Sequence, residues 1–257
     1  MLLRIFAFAY RNWIFAKRNF FAFFELLFWP VVGLISVGLM GGFLKLTPEL
    51  LNFVLTGAIT AGTLQVIQLD VAYGLLYDVW SKSLKHTFLS PVSHLDFLAG
   101  SWVIGIIRGA IVFALMTGFS GYAFEFSLPS AGYTAAFFTG ISLSALIIGM
   151  LVNLLVMLYG QRVEITAWAF ASLIMLICGI YYPVSQLPVA VQFFSKLIPL
   201  TYFMEYFRLG YGFTPVYTNL LLKGFGLCAL YIILLYTLLN VAYKRSRKTG
   251  MILRLSE

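Results

Sequence analysis

Long apolar runs separated by short polar connections dominate this sequence. Six runs are long enough to predict transmembrane helices, since one span needs about 20 predominantly apolar residues. The runs lack the strict polar–apolar alternation of barrel strands, so the pattern indicates helices rather than a transmembrane β-barrel. The predicted spans cover residues 20–44, 50–77, 97–123, 132–158, 165–182 and 219–242.

The composition agrees with a chain that lies in a bilayer. Of 257 residues, 61% are hydrophobic and 10% are charged, and the mean hydropathy is +0.95. Soluble domains carry about 25% charged residues. We therefore expect an all-α integral membrane protein with a single transmembrane domain over residues 1–257.

A different pattern precedes the first predicted span. Arg4, Arg11 and Arg18 recur every seven residues and therefore share one helix face. Arg11 interrupts the apolar stretch that a signal peptide would need, and no small-residue cleavage site follows. Residues 1–19 are predicted to form an amphipathic interfacial helix, with its basic face toward anionic lipid headgroups.

The basic residues are distributed unevenly over the two sides of the predicted spans. If the N-terminus lies inside, one side holds twelve Lys and Arg residues and the other side holds four. The positive-inside rule then predicts that both termini are cytoplasmic in a multi-pass protein of the cell (inner) membrane. The twelve are Arg4, Arg11, Lys17, Arg18, Lys82, Lys85, Arg162, Lys244, Arg245, Arg247, Lys248 and Arg254, and the four are Lys45, Lys196, Arg208 and Lys223.

Residues 78–95 connect the second and third predicted spans on the basic side. Trp80, Leu84 and Phe88 recur at four-residue spacing with polar residues between them, which predicts a short amphipathic helix along the membrane face. Pro91 ends it, because the residue before a proline disfavours helical dihedral angles. Such a helix could pack on lipid headgroups or bind a cytoplasmic partner, and the spacing leaves both interpretations open.

Residues 183–213 are too apolar for a solvated loop and too interrupted by proline for one helix. Pro183 and Pro188 break the fifth span near its outer end, and Pro199 separates two short helical stretches. Non-helical backbone at membrane depth persists only where protein buries it or where it lines a wet cavity. The segment is therefore predicted to re-enter the outer leaflet, as a structural lid or as an outer gate.

Charged residues inside the predicted spans are the next candidates, because such charges are costly and are usually paired or functional. Asp70 and Arg108 lie about 10 Å and about 16 Å from the inner ends of their spans, at 1.5 Å per residue. We hypothesise an ion pair that joins the second and third spans. The alternative is that Arg108 contacts an anionic substrate group. Glu25 is expected to meet Arg18 or a partner at headgroup level.

Three segments carry a resemblance to a known family: SPVSHLDFLAG at 90–100, GIYYPVSQLP at 179–188 and IPLTYFMEYFR at 198–208. Their order, with six spans and an N-terminal interfacial helix, resembles the type 2 ABC transporter permease family over essentially the whole chain. That family includes exporters of polysaccharides, lipo-oligosaccharides and drugs. The resemblance implies a permease subunit that forms a homodimer around one pathway and is driven by a separate cytoplasmic ATPase.

The resemblance also implies roles for individual residues. The connection after the second span becomes a coupling helix that docks on the ATPase, and the proline-rich segment becomes an outer gate. Members often carry Glu near the start of the coupling segment, where this chain has Asp78, so the contacts of Asp78 are in question. The implied coupling residues are Asp78, Trp80, Lys82, Leu84, Lys85, Phe88 and Leu89. The implied gate residues are Tyr181, Tyr182, Pro183, Gln186, Pro188, Pro199, Glu205 and Arg208, of which Glu205 and Arg208 can pair at i and i+3.

Catalytic and cofactor motifs do not appear in the sequence. No GxxxxGK[ST] phosphate loop occurs, so ATP and Mg are expected on the partner ATPase, with no cofactor on this chain. No metal-ligand spacing and no nucleophile–base set is present. We expect transport rather than catalysis, with membrane lipids and the ATPase as partners and no nucleic acid.

Three other functions stay open. An integral-membrane enzyme acting on lipids would need clustered Asp, Glu or His in the cytoplasmic connections. An ion-driven secondary carrier would need several buried carboxylates and inverted halves. A membrane scaffold would have no transport of its own. For a transporter, the small aromatic-rich chain favours a glycoconjugate, polysaccharide, lipid-like or drug substrate.

Overall fold

The computed structural model describes residues 2–18, 20–83, 93–160 and 165–249. Over these ranges the chain forms nine α-helices and one short 3-10 turn, and it contains no β-strand. The helices are α1 (Leu2–Arg18), α2 (Phe20–Phe43), α3 (Pro48–Trp80), α4 (His94–Phe124) and α5 (Ala131–Tyr159). They continue with α6 (Ile165–Ile177), the 3-10 turn Val184–Gln186, α7 (Val189–Ser195), α8 (Pro199–Leu209) and α9 (Leu220–Thr249).

Four of these helices are long and apolar enough to cross a membrane: α3, α4, α5 and the Leu220–Arg245 part of α9. Two shorter apolar helices, Leu27–Phe43 within α2 and the whole of α6, fall at the first and fifth predicted spans. The all-helical, multi-pass architecture predicted from the sequence is therefore confirmed. The count of six spans stays a prediction.

Two helix ends lie away from the predicted boundaries. Helix α3 continues through Trp80, so Asp78 and Trp80 occupy its last turn instead of starting a separate helix. Helix α6 ends at Ile177 rather than at residue 182. Gly179 then adopts a left-handed backbone conformation with φ of 73°, a common way for a helix to terminate.

Helix α3 is the centre of the packing and contacts α2, α4, α5 and α6. Small residues let its neighbours approach closely, as is usual between helices in membranes. At Gly149 of α5, for example, an added Cβ would lie 2.4 Å from the Val71 side chain. The core has two parts, one around Phe137, Phe203 and Phe207 and one around Val71, Leu75 and Leu76.

Helix α1 packs on the α4 end that lies nearest to Trp80. Phe8 contacts Phe97 edge to face, with the ring centroids 5.7 Å apart. Phe8, Ala9 and Asn12 are buried, whereas Phe6 and Trp13 are exposed. One face of this amphipathic helix is therefore committed to the protein.

The segment that follows α6 crosses the opposite end of α3. At Gly57 an added Cβ would lie 2.1 Å from the carbonyl oxygen of Ile180 and 2.9 Å from its carbonyl carbon. Backbone atoms cannot rotate away as a side chain can. Only glycine therefore fits where these two segments cross.

We expect Gly57→Val to destabilise the protein, because the added carbons push the Ile180 backbone off α3. Overpacking of this kind costs about 1–3 kcal/mol. The measurement is the apparent melting temperature of the purified full chain in detergent. Gly118→Val in α4 is the matched control, since nothing lies within 4 Å of its added Cβ. A melting temperature for Gly57→Val equal to that of the control would contradict the close crossing.

Candidate functional site

Three groups of polar side chains lie along α3, one near each end and one between them. We call them the junction cluster, the aromatic cavity and the latch cluster. Helix α3 has 33 residues, so it is about 50 Å long at 1.5 Å per residue. It is the element that links the three groups.

The junction cluster joins α1 to the last turn of α3. The Arg11 Nη1 donates to both carboxylate oxygens of Asp78, at 2.8 Å and 3.0 Å. Ser83 adds a third hydrogen bond to the same carboxylate, 3.0 Å long. Asn12 donates to the Ser101 hydroxyl at 2.9 Å and ties α1 to α4 as well. The first helix is thereby bound to two membrane helices through charge-assisted and buried hydrogen bonds.

This arrangement corrects the predicted role of Arg11. The seven-residue spacing placed Arg11 with Arg4 on a face toward lipid headgroups. In the structure Arg4 is exposed, but Arg11 points into the protein and pairs with Asp78. The buried carboxylate is the stronger attraction, because burial of Asp78 without a cation would leave an unpaired charge.

Of the predicted coupling residues, the structure describes Asp78, Trp80 and Lys82. Asp78 is buried, so its carboxylate serves contacts within the chain. Trp80 is 41% exposed and packs edge-on against Tyr73 and Tyr77, with ring centroids 5.3 Å and 5.6 Å away. Lys82 is exposed in the turn after α3. The other predicted members, Leu84, Lys85, Phe88 and Leu89, lie outside the described residues.

The aromatic cavity lies further along α3, between α2, α3, α4 and α6. Its volume is about 200 Å³. The Arg108 guanidinium of α4 donates to Asp70 Oδ1 of α3 at its edge. The structure thus contains the ion pair hypothesised from the sequence, and the two side chains are only 10% and 11% exposed. The partner expected for Glu25 cannot be compared in the same way, because the side chains of Glu25 and Arg18 lie outside the described part.

Aromatic side chains form the walls of this cavity. Trp168 of α6 donates through Nε1 to the Tyr73 hydroxyl, at 3.0 Å, so two of the walls are fixed to each other. Trp29 of α2 and Tyr77 of α3 complete the aromatic surface, and the polar lining residues include Gln65, Asp70 and Arg108.

The latch cluster is centred on Arg208 of α8. Its two terminal nitrogens donate to the carbonyl oxygens of Gly179 and Ile180, at 2.9 Å and 2.7 Å. The guanidinium also lies over the Phe53 ring of α3, with 3.5 Å from its central carbon to the ring centroid. One buried cation thus holds α8, the end of α6 and the start of α3 together.

The predicted Glu205–Arg208 ion pair is absent between these two described side chains, and this prediction is wrong. Glu205 instead accepts a hydrogen bond of 2.6 Å from the backbone N–H of Val216, while Arg208 is occupied by backbone carbonyls. Burial raises the pKa of the Glu205 carboxyl above its ordinary value, and the Val216 hydrogen bond and the nearby Arg208 charge partly offset this. Backbone groups without other partners outcompete a side chain one turn away.

The other predicted gate residues lie around this cluster in different settings. Tyr182 donates to the Leu176 carbonyl, and Tyr181 lies beside Gly57. Pro183 and Pro188 precede the 3-10 turn and α7, and Pro199 begins α8. Gln186 is exposed.

Several residues that shape these sites were missed from the sequence. The sequence pattern placed Arg11 on the surface of an interfacial helix, and it gave Asn12 no role. Gln65 could have been predicted from the sequence, since a polar amide inside an apolar span is uncommon without a role. Trp168 carried no such signal, because Trp is ordinary in membrane helices. Within the described ranges, no three His, Cys, Asp or Glu side chains lie close enough together to hold a metal ion.

Comparison with known proteins identifies a family. The sequence profile of the family described as ABC-2 type transporter matches residues 4–212. An uncharacterized protein of Archaeoglobus fulgidus is 62% identical over 48 residues, which is 19% of this chain and 75% of that protein. The profile match spans α1 through α8, and it therefore includes all three clusters.

The Asp70–Arg108 pair yields a test of its role in joining α3 and α4. Asp70→Asn or Arg108→Gln leaves one buried charge without its partner, which costs about 3–5 kcal/mol. We expect each single variant to lower the melting temperature and the monodisperse yield in detergent. The exchange of both residues, Asp70→Arg with Arg108→Asp, should recover part of the loss. An exchange variant as unstable as the worse single variant would contradict the pairing role.

The Arg11–Asp78 contact predicts how firmly α1 is held. Arg11→Gln removes charge-assisted hydrogen bonds worth about 1.5 kcal/mol or more, so hydrogen exchange in α1 should accelerate about tenfold. Arg4→Gln is the control, since Arg4 is an exposed arginine of the same helix. Asp78→Asn should act non-additively with Arg11→Gln. Equal exchange in the Arg11 and Arg4 variants would mean that the contact does not anchor α1.

Proposed function

This chain belongs to the ABC-2 type transporter family, and we infer that it is the membrane-spanning permease subunit of an ATP-driven exporter. The match over residues 4–212 is the observation that carries this proposal. In the proposed assembly, two copies of the chain enclose one pathway, and a separate cytoplasmic ATPase binds ATP and Mg. The substrate is a glycoconjugate, polysaccharide, lipid-like or drug molecule.

The proposed orientation places the junction cluster at the cytoplasmic face and the latch cluster at the outer face. The distribution of basic residues supports it, because the positive-inside rule puts both termini in the cytoplasm of a cell (inner) membrane protein. Trp80 then lies at the cytoplasmic end of α3. Arg208 then lies near the exit of the pathway, where the segment after α6 crosses α3.

Helix α3 supports a mechanism of coupling. A push on its Trp80 end by the ATPase is transmitted along one continuous helix to Asp70 and on to Phe53, under Arg208. The exposed edge of Trp80 offers an apolar contact surface to a partner. Because Trp80 also packs on Tyr73 and Tyr77, a displacement of its side chain is transmitted to α3. The ATP-bound ATPase must bind one arrangement of this end better than the other, or no work is transmitted.

The paired state of Asp70 favours this function over an ion-driven carrier. A carrier of that kind needs a carboxylate that takes up and releases a cation during its cycle. Asp70 is already neutralised by Arg108. Its site is therefore better suited to holding helices or cargo than to binding a coupling ion.

Affinity purification of the full chain from its native membranes in mild detergent tests the proposal. We expect a stoichiometric ATPase subunit with a phosphate-binding loop. The ATPase should be lost from the variant that combines Trp80→Asp with Phe88→Asp, because a charge then replaces two apolar side chains of the predicted coupling residues. Trp13→Asp is the matched control for Trp80, since both side chains are 41% exposed.

Each outcome of that purification has a clear meaning. Loss of the ATPase in the coupling variant but not in the Trp13 control would support the coupling surface. Retention of the ATPase in both would contradict docking at this end of α3. Failure of any ATPase to co-purify with a folded chain would contradict the ATP-driven function.

A further inference from the structure

We propose that the aromatic cavity between α2, α3, α4 and α6 binds one neutral sugar ring of the transported molecule. The proposal rests on the export function only in treating the bound sugar as part of the cargo. The polar side chains, the aromatic walls and the size of the cavity favour the binding itself.

The polar side chains of the lining match hydroxyl groups. Gln65, Asp70 and Arg108 place an amide, a carboxylate and a guanidinium among the residues that line the cavity. An amide donates and accepts, a carboxylate accepts and a guanidinium donates. A hydroxyl group both donates and accepts, so the edge hydroxyls of a sugar can bond to all three kinds of group.

Charged ligands fit the same atoms poorly. A phosphate group only accepts hydrogen bonds when fully ionised, and its charge would face the Asp70 carboxylate. An ammonium group only donates, and its charge would face Arg108. Because Asp70 and Arg108 neutralise each other, the cavity offers neither kind of ion a net attraction.

The walls suit the apolar face of a sugar ring. A pyranose carries C–H groups on its flat faces and hydroxyls around its edge. Trp168 and Tyr73 provide flat apolar surfaces that are held in place by their hydrogen bond of 3.0 Å. A ring stacked on this wall can direct its edge hydroxyls toward Gln65, Asp70 and Arg108, which line the same cavity. An alkyl chain would leave these polar groups unsatisfied.

The size restricts the ligand to one ring. The cavity volume of about 200 Å³ is small for a ligand site. Sites for drug-sized molecules usually have about 300–1,000 Å³. The cavity therefore accommodates a single ring, while the remainder of a larger molecule lies outside it.

Saturation-transfer NMR on the full chain in lipid nanodiscs tests this site. The probes are methyl α-mannoside, methyl β-glucoside and methyl β-N-acetylglucosaminide, compared with glycerol phosphate, choline and ethidium. We expect transfer to at least one glycoside and none to glycerol phosphate or choline. Gln65→Leu should weaken glycoside affinity about three- to tenfold, the effect of one hydrogen bond, and Trp168→Ala should abolish the signal.

The matched control is Gln68→Leu, the same substitution one turn further along α3. Gln68 is a buried glutamine of the same helix, but it does not line the cavity. The glycoside affinity of the Gln68→Leu variant should equal that of the unaltered chain. Equal losses in the Gln65 and Gln68 variants would overturn the proposal, since binding would then depend on the fold and not on the cavity.

The other outcomes also decide the matter. Binding of ethidium without any glycoside would overturn the sugar site in favour of an aromatic drug site. Binding of glycerol phosphate or choline alone would overturn it in favour of a lipid headgroup. A folded chain that co-purifies with its ATPase but binds none of the glycosides would overturn the sugar site and leave the export function intact. Glycoside binding by a chain with no ATPase would support the site and contradict the ATP-driven function.

Discussion

The neutralisation of buried charge is the constraint on which the rest of this structure depends. A carboxylate or guanidinium inside a membrane protein must find a partner, because an unpaired charge there costs several kcal/mol. Asp78 finds Arg11 on α1, Asp70 finds Arg108 on α4, and Arg208 on α8 finds two backbone carbonyls and the Phe53 ring. Each contact joins α3 to a different part of the chain, so the charges that are least compatible with a bilayer help to determine which elements are bound to the central helix.

Helix α3 turns these local contacts into a long-range connection. An α-helix resists changes in length, because each added residue is held by its own backbone hydrogen bond. A displacement at the Trp80 end therefore moves Asp70 and Phe53 together. The narrow crossing at Gly57 prevents α3 from sliding freely past the segment after α6. Displacement of α3 must either carry that segment along or break the contacts of Arg208, and both changes alter the end of the protein that holds the latch cluster.

The sequence predicted a contact correctly where a charged residue had one possible partner. Asp70 and Arg108 lie deep in adjacent antiparallel helices, and each is the obvious partner of the other. Arg11 had two plausible partners, lipid headgroups and a carboxylate 67 residues away, and periodicity alone could not choose between them. Glu205 and Arg208 were paired by their spacing, but backbone groups compete for both. The carbonyls that bind Arg208 become adjacent only after α6 ends early and Gly179 turns the chain, and the N–H that binds Glu205 belongs to Val216, beyond α8. The aromatic cavity could not be predicted from the sequence, because its walls come from four helices and no local pattern indicates how those helices are arranged.

The same pairing of charge also limits how a pathway beside the cavity can open. Separation of α3 from α4 would expose Asp70 and Arg108 to hydrocarbon without their partners, at a cost of about 3–5 kcal/mol. Separation of α3 from α2 or α6 breaks no ion pair of the described residues. On the α6 side the cost includes one hydrogen bond, from Trp168 to Tyr73, worth about 1 kcal/mol. Movement of α2 or α6, which carry the Trp29 and Trp168 walls of the cavity, therefore leaves the Asp70–Arg108 pair unbroken. A movement that opens the cavity thus separates its aromatic surfaces and leaves its charged pair intact.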